Sequence, residues 1–252
     1  MPPSRTDRAA QLAARVLRVP RVDFLASYWD YSEGEHVSVL APTQWGKTTL
    51  CYQLLQYSSS PELPGVVLGS KPRDPVLDSW TKTLGYKIVR TWPPPPTLPG
   101  MRKPPGYTLW PKPLGDFTRD NAVLRFEFRK AIQDLYYSKK ASIIYGDEMW
   151  GIAEELDLSK EVIAVWSRGA GMQCAMWAST QKPSHVPLWM YSQAYHLFLG
   201  NDPDETARKR FGEIGGVDPY LVRHITSQLL PYQWLYIKRR GRVGAEMCVV
   251  LP

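Results

Sequence analysis

From residue 36 onward, short apolar runs alternate with longer segments of helical period. HVSVLA (36–41), GVVLGS (65–70), YKIVRTW (86–92), ASIIYGDE (141–148), MQCAMWAST (172–180) and AYHLFLG (194–200) have the length and composition of strands. Between them, TTLCYQLLQY (48–57), PVLDSWTKTLG (75–85), SKEVIAVWSRG (159–169) and DETARKRFGEI (204–214) have the pattern of helices. NAVLRFEFRKAIQDLYY (121–137) places Leu124, Phe128, Ala131 and Leu135 on one helical face. This alternation predicts an α/β fold with a mainly parallel central sheet covered on both faces. Near the end, YQWLYIKRR and VGAEMCVVL, meeting across Gly241, predict a C-terminal β-hairpin.

Two stretches break the rhythm. Residues 5–19 carry Arg5, Arg8, Arg15 and Arg18 among alanines and leucines and predict a short basic helix. It belongs to an N-terminal arm over 1–30, ahead of a main domain over 31–252, and either touches a partner or is a frayed amphipathic end. TWPPPPTLPGMRKPPGYTLWPKP (91–113) is dense in proline. Proline fixes φ and removes a donor, so the segment is expected to be a semi-rigid surface insertion and not a central strand or helix. It carries Arg102, Lys103 and Lys112 and either faces a partner or merely connects.

Composition refines this picture. A hydrophobic fraction of 44% over 252 residues supports a sizeable core. Lys plus Arg is 31 against 24 for Asp plus Glu, a formal charge of +7, which suits a polyanion such as DNA and equally an ordinary basic surface. Cys51, Cys174 and Cys248 are far apart, each in an apolar run, without a C-x-x-C. They are expected to be buried thiols in a reducing compartment. The four histidines do not cluster, so no zinc site is suggested. The N-terminus lacks the apolar core of a signal peptide, and no run reaches membrane-spanning length. The expectation is a soluble, cytoplasmic protein.

Three segments carry chemistry. In APTQWGKTTL (41–50), a strand runs into Gly-Lys-Thr and then a helix, the context of a phosphate-binding loop. Backbone N–H groups of Thr43, Gln44, Trp45, Gly46, Lys47, Thr48 and Thr49 are candidates to surround phosphates at a helix N-terminus. Lys47 would reach the β- and γ-phosphates, and Thr48 would place its hydroxyl on Mg²⁺. Ala41 stands where the motif has glycine, and Pro42 has no N–H to give. The second segment, SIIYGDE, ends a buried strand on Asp147 and Glu148. The first acid suits a metal-bound water and the second a general base that activates the attacking water. A Glu after the Asp favours an ATPase over a small-metabolite kinase. The third, MWASTQKP, ends a strand on Ser179, Thr180 and Gln181, at the carboxyl end where α/β folds bind ligands. Gln181 is placed to sense the γ-phosphate or hold the water. Trp45 and Trp29–Tyr31 either stack on adenine or belong to the core.

WGKTTL, IIYGDE and STQKP, in this order and spacing, resemble the FtsK/HerA superfamily of DNA-translocating ATPases. VVLGSKPRDP (66–75) is similar to that family's second strand, and SRGAG (167–171) to its Arg-x-x-Gly entry to the sensor strand. The resemblance covers roughly residues 35–240 and is strongest to short, stand-alone members carried by phages and mobile elements. It implies a three-layer P-loop NTPase, RecA-like, with the additional strand and catalytic glutamate. ATP and Mg²⁺ would be bound by Lys47, Thr48 and Asp147, with Glu148 as base and Gln181 as sensor. It further implies a homo-oligomeric ring, usually hexameric, with an arginine acting on the neighbour's nucleotide. Arg168, Arg208 and Arg210 are the candidates. Double-stranded DNA would be gripped through its phosphates, with Arg102, Lys103 and Lys112, Arg125, Arg129 and Lys130, and KRRGR (238–242) as basic candidates. Viral genome packaging, docked on a capsid portal or vertex protein, is the favoured role. Transfer of a plasmid or mobile element, or a nucleotide-dependent protein-remodelling switch, stands as the alternative.

Overall fold

The computed structural model describes residues 4–181, 187, 190, 192–211, 214, 216–239 and 246–252. The chain divides into two compact units. The first takes Met1–Asp30, Val37–Leu50 and Ser179–Pro252, the second Tyr31–His36 and Cys51–Ala178.

In the first unit, α1 (Arg5–Ala13) precedes β1 (Leu17–Pro20), α2 (Arg21–Asp23) and a π-helical turn over Phe24–Tyr28. β2 (Val37–Leu40) leads into the start of α3 (Lys47–Ser58). After β8 (His196–Leu199) come α8 (Glu205–Phe211), α9 (Pro219–Ser227), β9 (Trp234–Lys238) and β10 (Glu246–Leu251). The strand order is β1-β10-β9-β8-β2. β2 and β8 run parallel, whereas β9 is antiparallel to both β8 and β10. The expected C-terminal hairpin is therefore present, with Glu246 opposite Lys238; its connection across Gly241 lies outside the described residues.

The second unit holds β3 (Gly65–Leu68), α4 (Pro75–Thr83), β4 (Lys87–Val89), β5 (Gly106–Leu109), α5 (Phe117–Tyr137), β6 (Ser142–Gly146), α6 (Met149–Glu155), α7 (Ser159–Arg168) and most of β7 (Cys174–Thr180). Its strands are all parallel, in the order β7-β6-β3-β5-β4. β3, β6 and β7 are buried along their whole length, which is why they read as unbroken apolar runs and not as alternating ones. Helix starts follow local chemistry. Asp74 and Asp116 accept from the N–H groups of Leu77 and Arg119, each at 2.9 Å, and Pro75 occupies the first turn of α4.

Two expectations are corrected. The helix foreseen over 5–19 ends at Ala13, and Leu17–Pro20 is a strand parallel to β10. Val16 and Val19 favour extended backbone, Pro20 cannot continue a helix, and Val19 gains burial by pairing. The proline-rich segment is not wholly a surface excursion, because Gly106–Leu109 within it forms β5, flanked by β3 and β4. Gly-Tyr-Thr-Leu is a proline-free window between Pro105 and Pro111, so every ladder N–H survives there. Gly106 is required by close packing, since a Cβ would lie 2.3 Å from the Gly65 carbonyl oxygen. Earlier in the segment, Trp92 N–H donates to the buried Glu127 carboxylate at 2.6 Å and its indole to Asp134 at 2.9 Å, tying the prolines to α5. α6 and α9 are further elements that the sequence pattern did not announce. No helix among the described residues is long and apolar enough to cross a membrane.

Cys51, Cys174 and Cys248 are all buried free thiols. Burial pushes the Cys174 and Cys248 thiols up to about 11.

His36 is buried in the second unit, and its Nδ1 accepts the Met176 N–H at 2.9 Å. Burial, only partly opposed by a hydrogen bond donated to the Trp166 backbone, lowers its pKa to about 4. The folded pKa lies below the unfolded value of about 6.5, so the unfolded chain binds the extra proton as pH falls. His36 is therefore expected to withdraw about 3 kcal/mol of stability between pH ~6.5 and ~4, and none above that window. Urea unfolding across pH, compared with His36→Gln, measures this. A variant with the same acid slope as the wild type would show that His36 is not responsible.

Candidate functional site

The loop between β2 and α3 has the backbone of a phosphate cradle. Gln44 and Gly46 both adopt positive φ, 62° and 85°, so the loop doubles back before α3 begins at Lys47. Gly46 also lies close under Tyr232: a Cβ would lie 3.1 Å from that ring, which would have to shift slightly. Lys47 is 6% exposed, and its ammonium donates to the carbonyl oxygens of Ala41 at 2.9 Å and Pro42 at 2.7 Å. A buried ammonium held at the mouth of its own loop is positioned for an anion. Thr48 and Thr49 are half-buried in the first turn of α3, while Thr43 and Gln44 are exposed on the loop.

Within the first unit, the residues that follow Ala178 reach this loop. Ala41 N–H donates to the Thr180 carbonyl at 3.3 Å, and Thr43 Oγ1 donates to Gln181 Oε1 at 2.7 Å. Thr43 and Gln181, which the sequence proposed separately for binding and sensing, are thus in direct contact. Residues 182–186 of the same motif lie outside the described residues.

The departure at Ala41 is accommodated by Gly200. A Cβ at 200 would lie 2.6 Å from the Ala41 Cβ and 2.7 Å from the Trp45 indole nitrogen. The glycine missing from the loop is in effect supplied from the end of β8. Trp45 donates its indole N–H to the Gln233 carbonyl at 3.0 Å, so the ring is fastened inside the first unit. Trp29 packs in the core against Phe198, His196 and Tyr236. Tyr31 lies edge-on to Trp177, and burial holds its phenol well above the usual range. Gly200→Ala is expected to cost about 1–3 kcal/mol by overpacking, and Ala41→Gly to return part of it. A double-mutant cycle by urea denaturation measures this coupling; additive effects would disprove the contact.

The acids belong to the second unit. Asp147 and Glu148 follow β6 directly, both half-buried. Glu148 has φ 56°, ψ 45°, a left-handed conformation uncommon for a residue with a side chain, and sits at the N-cap of α6. Asp147 lies 3.6 Å from the Lys71 ammonium, which is equally 3.6 Å from Asp74. Lys71 is 61% exposed, so these pairs are weak and readily exchanged. Burial, with the charges of Asp147 and Asp74 next, holds the Tyr52 phenol well above its usual range. Tyr52 packs between Trp80 and Tyr145. Lys71 belongs to the VVLGSKPRDP segment that the sequence singled out. Gly200, Tyr232 and Gln233 were not foreseen. Their contacts with the loop join residues as many as 188 positions apart, and nothing local marks them.

The arginine candidates lie apart. Arg168 is exposed in the second unit, with its guanidinium 6.0 Å from the Tyr136 ring centre. Arg208 and Arg210 are half-buried on α8 in the first unit, where Arg208 donates to the Asp202 carbonyl at 3.2 Å. Several basic residues proposed for DNA are engaged within the fold. Arg129 pairs with Glu161 at 2.8 Å, Arg125 donates to the Leu156 carbonyl at 2.9 Å, and Lys238 pairs with Asp30 at 2.9 Å. Arg102, Lys103 and Lys112 are exposed, and Arg240 and Arg242 lie outside the described residues.

No protein-family model matches the chain, and no curated protein matches it. Solved structures do. The genome packaging NTPase B204 from Sulfolobus turreted icosahedral virus 2, in complex with AMPPCP, superposes with a TM-score of 0.56 at 10% identity, over 88% of this chain and 98% of that one. The same enzyme with ATP-gammaS gives 0.54 at 10% identity, over 88% and 99%. B204, the DNA-packaging ATPase from Sulfolobus turreted icosahedral virus, gives 0.55 at 12% identity, over 88% and 99%. At such identities the likeness is one of architecture. The chain has the α/β P-loop NTPase fold, shared with these viral packaging enzymes over nearly their whole length.

Proposed function

We propose that this chain is an FtsK/HerA-type ATPase that hydrolyses ATP to move double-stranded DNA, most specifically a viral genome-packaging motor working as a homo-oligomeric ring. The observation that carries the reading is the contact of Thr43 with Gln181, which brings the sensor segment onto a loop whose buried lysine faces its own carbonyls. A sensor touching the loop can report phosphate loss to the strand behind it. Packaging is favoured within the superfamily because the structures this fold resembles include viral packaging enzymes.

In this reading the N-terminus of α3 and Lys47 bind the phosphates, and Glu148 takes a proton from the attacking water. Gln181 orients that water. Thr48 and Asp147 would hold Mg²⁺. Both offer hard oxygen donors, as that ion requires, and among the described residues no cluster of three or more His, Cys, Asp or Glu competes for it. The ion supplies neutralisation of phosphate charge when bound. Arg168 or Arg210 acts on the neighbouring subunit's nucleotide, and a capsid portal or vertex protein anchors the ring. The setting is the cytoplasm of an infected cell.

Steady-state ATP hydrolysis with and without long duplex DNA, beside Glu148→Gln, tests the proposal. A rate that DNA raises and the variant lacks is the expected result. Hydrolysis indifferent to DNA would overturn the motor and leave a nucleotide-dependent protein-remodelling switch.

A further inference from the structure

We infer that α1, α8 and α9 together form a phosphate-backbone groove for duplex DNA, separate from the nucleotide loop. The inference rests on the motor reading above and gives it a location.

A cavity of about 400 Å³ lies among these three helices, all within the first unit. Its size falls in the ~300–1,000 Å³ range of ligand clefts, enough for a stretch of sugar-phosphate. Among the described residues, Arg208, Lys209 and Arg223 line it against one lining carboxylate, Glu205, which lies 3.2 Å from Lys209, while Arg208 also donates to the Asp202 carbonyl at 3.2 Å. The cations thus outnumber the anion, and that anion already has a partner. The exposed ring of Tyr220 also lines the cavity and draws two guanidiniums, Arg5 from α1 at 5.7 Å and Arg223 from α9 at 6.0 Å. Stacking on an aromatic face fixes a guanidinium plane yet leaves its N–H edge available for phosphate oxygens.

Cations on three helices gather here: Arg208 and Lys209 of α8 and Arg223 of α9 line the cavity, and Arg5 of α1 lies over the Tyr220 ring. A polyanion with repeating phosphates satisfies such a distribution, and it does so without reading bases. The groove also gives a purpose to the arginine of the N-terminal helix. Asp218 and Pro219 start α9 cleanly, with Asp218 accepting the Tyr220 N–H at 2.9 Å, so the ring and Arg223 sit on a well-defined turn.

The test is the salt dependence of binding to a short fluorescently labelled duplex, followed by anisotropy with the full chain. Each phosphate contact contributes about −0.9 to the slope of log K against log[salt], so Arg5→Gln/Arg223→Gln should flatten it by about 1.8. At about 0.1 M salt, taking the two proteins as equal at about 1 M, this is a loss of roughly 60-fold in affinity. Arg5→Lys/Arg223→Lys, which keeps the charges, should retain the wild-type slope. If the double Gln variant fails to fold, Arg223→Gln alone should flatten the slope by about 0.9. A wild-type chain that binds duplex with a slope unchanged in the Gln variants overturns the groove and leaves the DNA motor standing. A wild-type chain that binds no duplex even at low salt overturns both.

Discussion

Glu148→Gln is expected to lower ATP turnover by roughly 10²–10⁴-fold while leaving ATP affinity near its wild-type value. Glutamine preserves size and can still hydrogen-bond, but it cannot accept a proton from water. The proposed role of this carboxylate can be separated from its backbone conformation. Glu148 occupies a left-handed conformation at φ 56°, which costs an L-residue roughly 1–2 kcal/mol. A position that served only to turn the chain out of β6 would be better filled by glycine. Glu148→Gly should accordingly keep or raise stability, by up to about 1 kcal/mol, while losing turnover as completely as the Gln variant. The pair separates strain from catalysis. Turnover measured beside nucleotide binding, with melting curves for both variants, decides it. Full turnover in Glu148→Gln would move the base elsewhere and leave the hydrolysis itself standing.

The parts of the fold that were legible in the sequence share one property, which is that their signal is local. β3 and β6 are buried throughout and appear as apolar runs, while α5 announces itself through Leu124, Phe128, Ala131 and Leu135 on one face; its start at Phe117, capped by Asp116, precedes the expected one at Asn121. The loop and the acids are legible because Gly46, Lys47, Asp147 and Glu148 are the residue types that the proposed chemistry would require close after such strands. What stayed hidden depends on partners distant in sequence. β5 was masked by the prolines around it, and only its neighbours β3 and β4 show that Gly106–Leu109 has a ladder to join. β1 was absorbed into a basic helix because its partner β10 lies at the far end of the chain. Ala41 looked like a defect in the loop until Gly200 supplied the missing space. Trp45 offered itself for stacking on a base, but its indole N–H is fastened to Gln233. The basic residues divide in the same way: helical spacing could not show that Arg125 and Arg129 are spent on the turn before α7.

Lys47→Met should weaken ATP binding by roughly 10–150-fold, the worth of a charge-assisted hydrogen bond of about 1.5–3 kcal/mol. Methionine keeps the unbranched stem and its helix propensity, so the change removes little besides the ammonium. Within the protein that ammonium donates to the Ala41 and Pro42 carbonyls, and these contacts offset the cost of burying it. Their joint removal should alter the stability of the free chain by no more than about 1 kcal/mol. The decisive readout is the ligand-induced rise in melting temperature. Binding to the native state alone adds RT ln(1 + [L]/Kd), so wild type in ATP at about 100 Kd gains about 2.7 kcal/mol. A variant binding ~100-fold more weakly gains only about 0.4 kcal/mol at the same concentration. Near-equal melting temperatures without ATP, diverging when it is added, would locate the phosphate interaction at Lys47. An equal rise in both proteins would mean that ATP binds elsewhere, and the loop's glycine-supported turn would be architecture alone.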